Sequence, residues 1–203
     1  MNAAHDPSCA GWVLAGGQSS RMGSPKALLQ IAGLPLLSRA VSLLQSVCSP
    51  VTVVGSPESY SHLSLAAVPD ELPQIGPLGG IFTALARSAS DWNLVVACDL
   101  PYLTAEWLRY LVARASRSRA RVVLPHSVSG AEPLCAVYHR DIAASLRAAI
   151  AQGRLKVTSA LDGLPIDSVT PADILPFDPR GLLFQNLNTP EDFERARAGF
   201  ESG

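Results

Sequence analysis

Short runs that are apolar at nearly every position, separated by stretches with helical spacing, constrain this chain more than any other feature. The runs are GWVLA (Gly11–Ala15), VTVVG (Val51–Gly55), NLVVACD (Asn93–Asp99) and RVVLP (Arg121–Pro125). A half-exposed strand alternates apolar and polar residues, whereas a continuous apolar run suits a strand covered on both faces, as in parallel sheets. From Pro35, apolar residues at Leu36, Leu37, Ala40, Val41, Leu43, Leu44 and Val47 mark one face of a helix, with Pro35 suited to its first turn. GPLGGIFTALARSA (Gly76–Ala89) reads as a loop entering a helix. TAEWLRYLVARA (Thr104–Ala115) opens on a threonine cap, DIAASLRAAIAQG (Asp141–Gly153) opens on an acid and ends on glycine, and NTPEDFERARAG (Asn188–Gly199) sets a threonine cap before Pro190. LAAVPD (Leu65–Asp70) reads as a short strand and EPLCAVYH (Glu132–His139) as an added antiparallel one. This alternation predicts an α/β fold: a doubly wound, mostly parallel sheet with helices on both faces. No linker or internal repeat divides the chain, so residues 1–203 read as a single domain, with 1–9 as a flexible N-terminus.

A chain of 203 residues is long enough for a full core, and a hydrophobic share of 48% argues against disorder. Sixteen basic residues against 17 acidic ones give a net charge of −1, without the basic excess that nucleic acid or an anionic membrane surface would call for. The opening MNAAHDPSCA lacks the pattern of a signal peptide, and no window has the ~20 apolar residues that cross a bilayer. A soluble, cytoplasmic protein is the expectation. Cys9, Cys48, Cys98 and Cys135 are far apart in sequence with no CxxC, which points to reduced thiols rather than disulfides or zinc. His5, His62, His126 and His139 are scattered too, and surface or partly buried positions account for them better than metal ligation.

One stretch asks for more than a fold needs: VLAGGQSSRMGSPKALL (Val13–Leu29). In a doubly wound sheet, ligands bind beyond the carboxyl ends of the strands. Gly16 and Gly17 follow the first apolar run and allow a tight turn whose N–H groups approach an anion. Arg21 adds a planar fork of donors and Lys26 a movable charge, so together they form a credible triphosphate cradle. On spacing alone, an ordinary glycine turn with two solvated cations remains the alternative. Neither G-x-x-x-x-G-K-[ST] nor G-x-G-x-x-G is present. NLVVACD is equally pointed, because its apolar run ends on Asp99, a carboxylate suited either to a metal or to capping the turn at Pro101.

The whole pattern L-A-G-G-x-S-x-R-M-G-x-x-K-x-L-L resembles the signature of nucleotidyltransferases that activate small molecules, and within them the molybdenum cofactor guanylyltransferase family. DELPQIGPLGGI (Asp70–Ile81), ACDLPYL (Ala97–Leu103), EPLCAVY, GRLKV (Gly153–Val157) and NLNTPEDF (Asn186–Phe193) are similar to further family segments, so the likeness runs from about Gly11 to Phe193. It implies a single Rossmann-like domain that transfers GMP from Mg-GTP to molybdopterin carrying molybdenum and releases pyrophosphate. By the same resemblance, Leu14, Ala15, Gly16, Gly17, Arg21, Lys26, Asp70, Gly79 and Asp99 bind GTP, and Asp99 holds Mg²⁺. The resemblance also implies that Arg21, Lys26 and Asp99 are the catalytic residues. Asp70 contacts guanine or ribose, unless it merely forms a turn, and Gly76, Gly79 and Gly80 either let the base approach or simply enter a helix. Arg154, Lys156, Asn186 and Asn188 fall on the molybdopterin side of the cleft, or are solvated helix-end cations and caps. Transfer of this kind is mostly positioning and electrostatics, with the terminal phosphate of molybdopterin attacking the α-phosphorus in line, so no Ser, Cys or His nucleophile is needed. Cys98 and Cys135 read as packed thiols rather than molybdenum ligands. The implied partners are the two small-molecule substrates, with transient contact to molybdoenzymes or cofactor chaperones, and neither nucleic acid nor membrane.

Three positions bear on the nucleotide. The guanylyl subgroup often has Asp before the motif lysine, where this chain has Pro25, as in the related CTP-dependent cytidylyltransferases. Gly16 leaves room for a purine beside the backbone, and with NLNTPEDF it favours GTP. A position often filled by Asn after the second strand is Gly55, so one base-contacting side chain is missing. A non-catalytic molybdopterin- or nucleotide-binding carrier module is the alternative outside enzymology, and a sugar-nucleotide pyrophosphorylase a weaker one. All of these readings need the tip of the first strand and the Asp99 tip to meet across one crevice.

Overall fold

The structure is a computed structural model and describes residues 9–15 and 25–201. In chain order its strands are β1 (Cys9–Leu14), β2 (Gln30–Ile31), β3 (Leu34–Pro35), β4 (Val51–Val54), β5 (Ala67–Val68), β6 (Trp92–Ala97), β7 (Val122–Ser127), β8 (Gly130–Ala131), β9 (Cys135–His139) and β10 (Ile166–Val169). The helices are α1 (Leu36–Gln45), α2 (Pro57–Tyr60), α3 (Pro77–Arg87), α4 (Ala105–Ala115), α5 (Ala143–Ala151), α6 (Val157–Ala160), α7 (Pro171–Ile174) and α8 (Pro190–Glu201). The main sheet runs β10-β7-β9-β6-β1-β4-β5, with β8 paired to the end of β7.

Alternate residues of the central strands feed two cores. Cys9 and Val13 of β1, Leu94 and Val96 of β6, and Cys135 and Val137 of β9 enter one core with α1 and α4. Ala10, Trp12, Leu14, Val95, Ala136 and Tyr138 enter the other with α3 and α5. Both faces of the sheet are therefore covered, which is why these runs contain so few polar residues. The buried exception is Asn93, whose Oδ1 accepts from Trp12 Nε1 at 2.9 Å and whose Nδ2 donates to the Ser90 carbonyl at 3.2 Å.

β1 pairs in parallel with β4 and β6, β4 with β5, and β10 with β7. The antiparallel strand expected from EPLCAVYH is β9, and it lies inside the sheet between β6 and β7 rather than at an edge. Its residues Cys135–Tyr138 are all buried, as a two-sided position requires. Thr104 caps α4, its Oγ1 accepting from Trp107 N at 3.2 Å. Pro35 stands one residue before α1, in β3, where its φ of −54° also fits. β1 begins at Cys9, so that residue of the expected flexible terminus is part of the sheet, while residues 1–8 lie outside the description.

A third, smaller core forms apart from the sheet. The β2–β3 hairpin, turning through Ala32 and Gly33 at positive φ, packs Ile31 against Leu36, Leu187 and Ala196. Leu29, Tyr102, Phe193 and Phe200 complete it. The hairpin, the chain after β6 and the C-terminal helix are thereby joined.

Candidate active site

β1 and β6 end side by side. Leu14 pairs with Ala97, and Cys98 N donates to the Leu14 carbonyl at 3.1 Å. The crest between them is where the chain leaves Ala15 on one side and reaches Asp99 on the other. After residues 16–24 the chain re-enters the description at Pro25 and turns through a short 3₁₀ segment, Lys26–Leu28. There the Lys26 ammonium donates to Asp99 Oδ2 at 2.6 Å and to Asn188 Oδ1 at 3.0 Å. The Lys26 and Asp99 side chains are 17% and 19% exposed, so the pair is sheltered but open to a ligand. A solvent-reachable ion pair adds little to folding, so two opposite charges held here are better explained by what they meet.

Asn188 arrives by two constraints. Leu187 N donates to the Asp99 carbonyl at 3.2 Å, which ties the C-terminal segment to the Asp99 turn. Asp192 Oδ2 accepts from Asn188 N and Thr189 N at 3.2 and 3.0 Å, and Thr189 Oγ1 accepts from Asp192 N at 3.1 Å. The Thr189 bonds hold the Asp192 carboxyl below the usual carboxylate range. This reciprocal cap fixes the start of α8 directly beside the crest.

On the other flank Asp70 is built into the loop before α3. Its Oδ1 accepts from Leu72 N at 3.0 Å and from Thr83 Oγ1 at 2.9 Å, while Thr83 Oγ1 accepts from Glu71 N at 2.9 Å. Gly79 is why the loop lies so close: a Cβ there would stand 2.5 Å from the Leu72 carbonyl oxygen and 3.2 Å from Asp70 Oδ1. Gly80 faces Leu14, whose Cδ2 would be 3.1 Å from an added Cβ. Both glycines thus serve close packing of α3. Asp70 does form a turn bond, and the same bonds fix its carboxylate.

Ala15, the last described residue of the first strand's exit, is gripped by Tyr60, whose hydroxyl donates to the Ala15 carbonyl at 2.7 Å. A Cβ on Gly55 would meet Tyr60 Cε2 at 2.9 Å and Ala15 Cβ at 3.4 Å. The side chain missing at Gly55 is therefore replaced in space by the Tyr60 ring. Burial, with a smaller contribution from Cys98, raises the Tyr60 phenol above its ordinary range.

Gly16, Gly17 and Arg21 lie outside the described residues. Of the four residues expected on the molybdopterin side, the structure brings Asn188 onto Lys26. Asn186 is exposed near it in sequence, and Lys156 is exposed at the start of α6. Arg154 is tied locally, with Nη1 donating to the Ser159 carbonyl at 2.8 Å and Nε to Gln152 Oε1 at 3.2 Å. Cys98 and Cys135 are buried free thiols, both pushed up to about 12, chiefly by burial. Sequence reasoning missed Tyr60 and Thr83. Thr83 had a signal, a polar residue on an otherwise apolar helix, whereas Tyr60 lies in the polar stretch SPESYSH and gave none.

Residues 11–164 match the family model described as the MobA-like NTP transferase domain. A molybdenum cofactor guanylyltransferase of Syntrophotalea carbinolica is 34% identical over 186 residues, spanning 91% of this chain and 89% of that protein. A probable molybdenum cofactor guanylyltransferase of Nostoc sp. is 37% identical over 195 residues, spanning 93% and 90%. Among solved structures, molybdopterin-guanine dinucleotide biosynthesis protein A of Archaeoglobus fulgidus superposes with a TM-score of 0.83 at 25% identity, covering 96% of this chain and all of that one. The family-model match covers most of the chain, and both relatives exceed 30% identity over nearly its full length. The chain is a nucleotidyltransferase and belongs to the MobA-like family, among the molybdenum cofactor guanylyltransferases.

Proposed function

We propose that this enzyme transfers GMP from magnesium-bound GTP to the terminal phosphate of molybdenum-bearing molybdopterin, giving the guanine dinucleotide cofactor and pyrophosphate. The observation that carries the reading is Lys26, held between Asp99 and Asn188 at the joined tips of β1 and β6. A triphosphate laid along this crest brings anionic oxygens that compete with Asp99 and Asn188 for the ammonium. Lys26 then follows the charge that builds on the leaving pyrophosphate, with Arg21 as its companion. Asn188, released from Lys26, offers its amide to the acceptor phosphate. Asp70 takes the ribose or the base edge, and Leu14, Ala15, Gly16, Gly17 and Gly79 are the further residues proposed to bind GTP.

Asp99 fits magnesium. It is a hard oxygen donor turned toward a cation, and one carboxylate with phosphate oxygens and water completes the usual Mg²⁺ shell. Bound there, the metal would neutralise phosphate charge and orient the α-phosphate. Arg154, Lys156 and Asn186 are proposed for the pterin-phosphate end, and the whole chain is proposed as one domain acting in the cytoplasm. Among the described residues no helix is long and apolar enough to cross a membrane.

The test is to incubate the protein with molybdenum-loaded molybdopterin and magnesium, with GTP in one reaction and CTP in the other, and to identify the dinucleotide by mass. Guanine dinucleotide with stoichiometric pyrophosphate is expected. Cytosine dinucleotide alone would replace this reading with the one that Pro25 favours.

A further inference from the structure

Lys26 is 73 positions from Asp99 and 162 from Asn188, so something must hold three remote segments in one register. Each segment continues into the small third core: the Lys26 turn through Leu29 and Ile31, the Asp99 turn through Tyr102, and Asn188 through Phe193, Ala196 and Phe200. The far end of that core is an aromatic contact. Phe200 stacks on Tyr102, with centroids 5.5 Å apart and planes 16° from parallel. The Arg39 guanidinium carbon lies 4.5 Å from the Phe200 ring centre. Arg39 Nε is buried and has no hydrogen-bond partner among the described residues, which makes the electron-rich ring face its nearest compensation.

We propose that Phe200 is a positioning residue for the reaction: stacked on Tyr102 and against Arg39, it sets α8 so that Asn188 and Asp99 hold Lys26. The inference rests on the proposed function only for its kinetic readout.

The mechanical argument is short. The Thr189–Asp192 cap makes Asn188 move with α8, and the Leu187–Asp99 bond passes that movement to the carboxylate. Aliphatic contacts alone would let a helix slide, because apolar burial has no direction. A ring stack fixes both distance and orientation. Displacement of a reacting group by about 1 Å is enough to cost on the order of 10²-fold in rate. α8 lies beyond residue 164, where the family-model match ends, so this chain completes its crest with a segment outside the matched domain.

The decisive variant is Phe200→Leu, which keeps most of the apolar volume and removes the ring. In guanylyl transfer it should lower kcat about five- to tenfold, with the KM for GTP changed less than twofold. Phe200→Tyr restores the ring and should restore kcat. Arg197→Ala, on the exposed face of α8, should leave both constants unchanged. A second readout needs no activity: amide hydrogen exchange at residues 26–31 and 186–189 should rise in Phe200→Leu, while exchange in β1 and β6 stays as in wild type. Wild-type exchange in those two segments would overturn the proposal. So would a kcat that is unchanged although the thermal midpoint falls, since that is the mark of a merely structural residue. If the wild-type protein makes no dinucleotide, the functional reading fails, and the exchange experiment still decides this one.

Discussion

The two flanks of the crest are held by different forces. Toward β4 and β5, Ala15, Asp70 and the α3 loop are pinned by short polar bonds from Tyr60 and the fully buried Thr83, with glycine at the points of closest approach. Toward the C-terminus, Lys26, Asp99 and Asn188 sit on segments joined by an apolar cluster and an aromatic stack. Buried hydrogen bonds fix angles, and leaving one unmade costs about 1–3 kcal/mol, so the first flank is stiff. The ring stack sets where the segments of the second flank stand, and what moves there is charge: an ammonium with two acceptors can exchange one for a phosphate. The proposed reaction asks for this division: a base and ribose are recognised by fixed edges, whereas phosphate charge moves during transfer.

The hardest way to break the comparison is at the mobile charge. Lys26→Ala and Asp99→Ala should each lower kcat about 10²- to 10³-fold, by analogy with losing a transition-state hydrogen-bond donor. Their urea midpoints should stay close to wild type, because a pair that still reaches solvent contributes little to folding. Near-normal kcat in either variant would remove that residue from the chemistry. Gly79→Ala attacks the stiff flank and should behave oppositely. The new Cβ meets a backbone oxygen at 2.5 Å that cannot swing aside. Overpacking of this kind costs about 1–3 kcal/mol, visible as a lower denaturation midpoint, and the displaced Asp70 should raise the KM for GTP more than it lowers kcat. Wild-type stability in Gly79→Ala would show that the loop gives way to the added methyl and is not stiff.

The same contrast explains what was legible in the sequence. The parallel strands and their helices were readable because two-sided burial leaves continuous apolar runs, and Asp99 stood out because it ends one. Lys26 was readable from its motif and the Asp99 tip was expected across from it, whereas its bond to Asn188 was not legible. That Asn188 reaches Lys26 depends on α8 folding back across the hairpin, a contact 162 positions long that no local pattern encodes. β9 was recognised as antiparallel, yet its place inside the sheet follows only from pairing with β6 and β7. Gly55 looked like a lost contact. It is a glycine because Tyr60, five residues on, needs the space, and that exchange of side chain for ring is visible only in three dimensions. β10, at four residues with alternating exposure, was too short and too polar to announce itself.

The smallest effect sharpens the comparison most, because it deletes one atom. Tyr60→Phe keeps the ring beside Gly55 and removes the hydroxyl that the Ala15 carbonyl accepts from. A net loss of about 1 kcal/mol is expected, with a two- to fivefold rise in the KM for GTP and little change in kcat. The pH dependence has a definite sign. Burial raises the folded Tyr60 phenol above the ordinary value of 10.0, so the neutral, donating form persists in the folded state at a pH where the unfolded chain already ionises. The stability owed to this group is fully present below pH 10 and is lost as pH rises through the folded value. Wild type should therefore exceed Tyr60→Phe in Tm by a constant margin from pH 7 to about 9, and the margin should shrink toward pH 11, since phenylalanine has no proton to lose. A margin that stays constant across that range would mean the hydroxyl is not what holds Ala15, and the stiffness of this flank would have to come from packing alone.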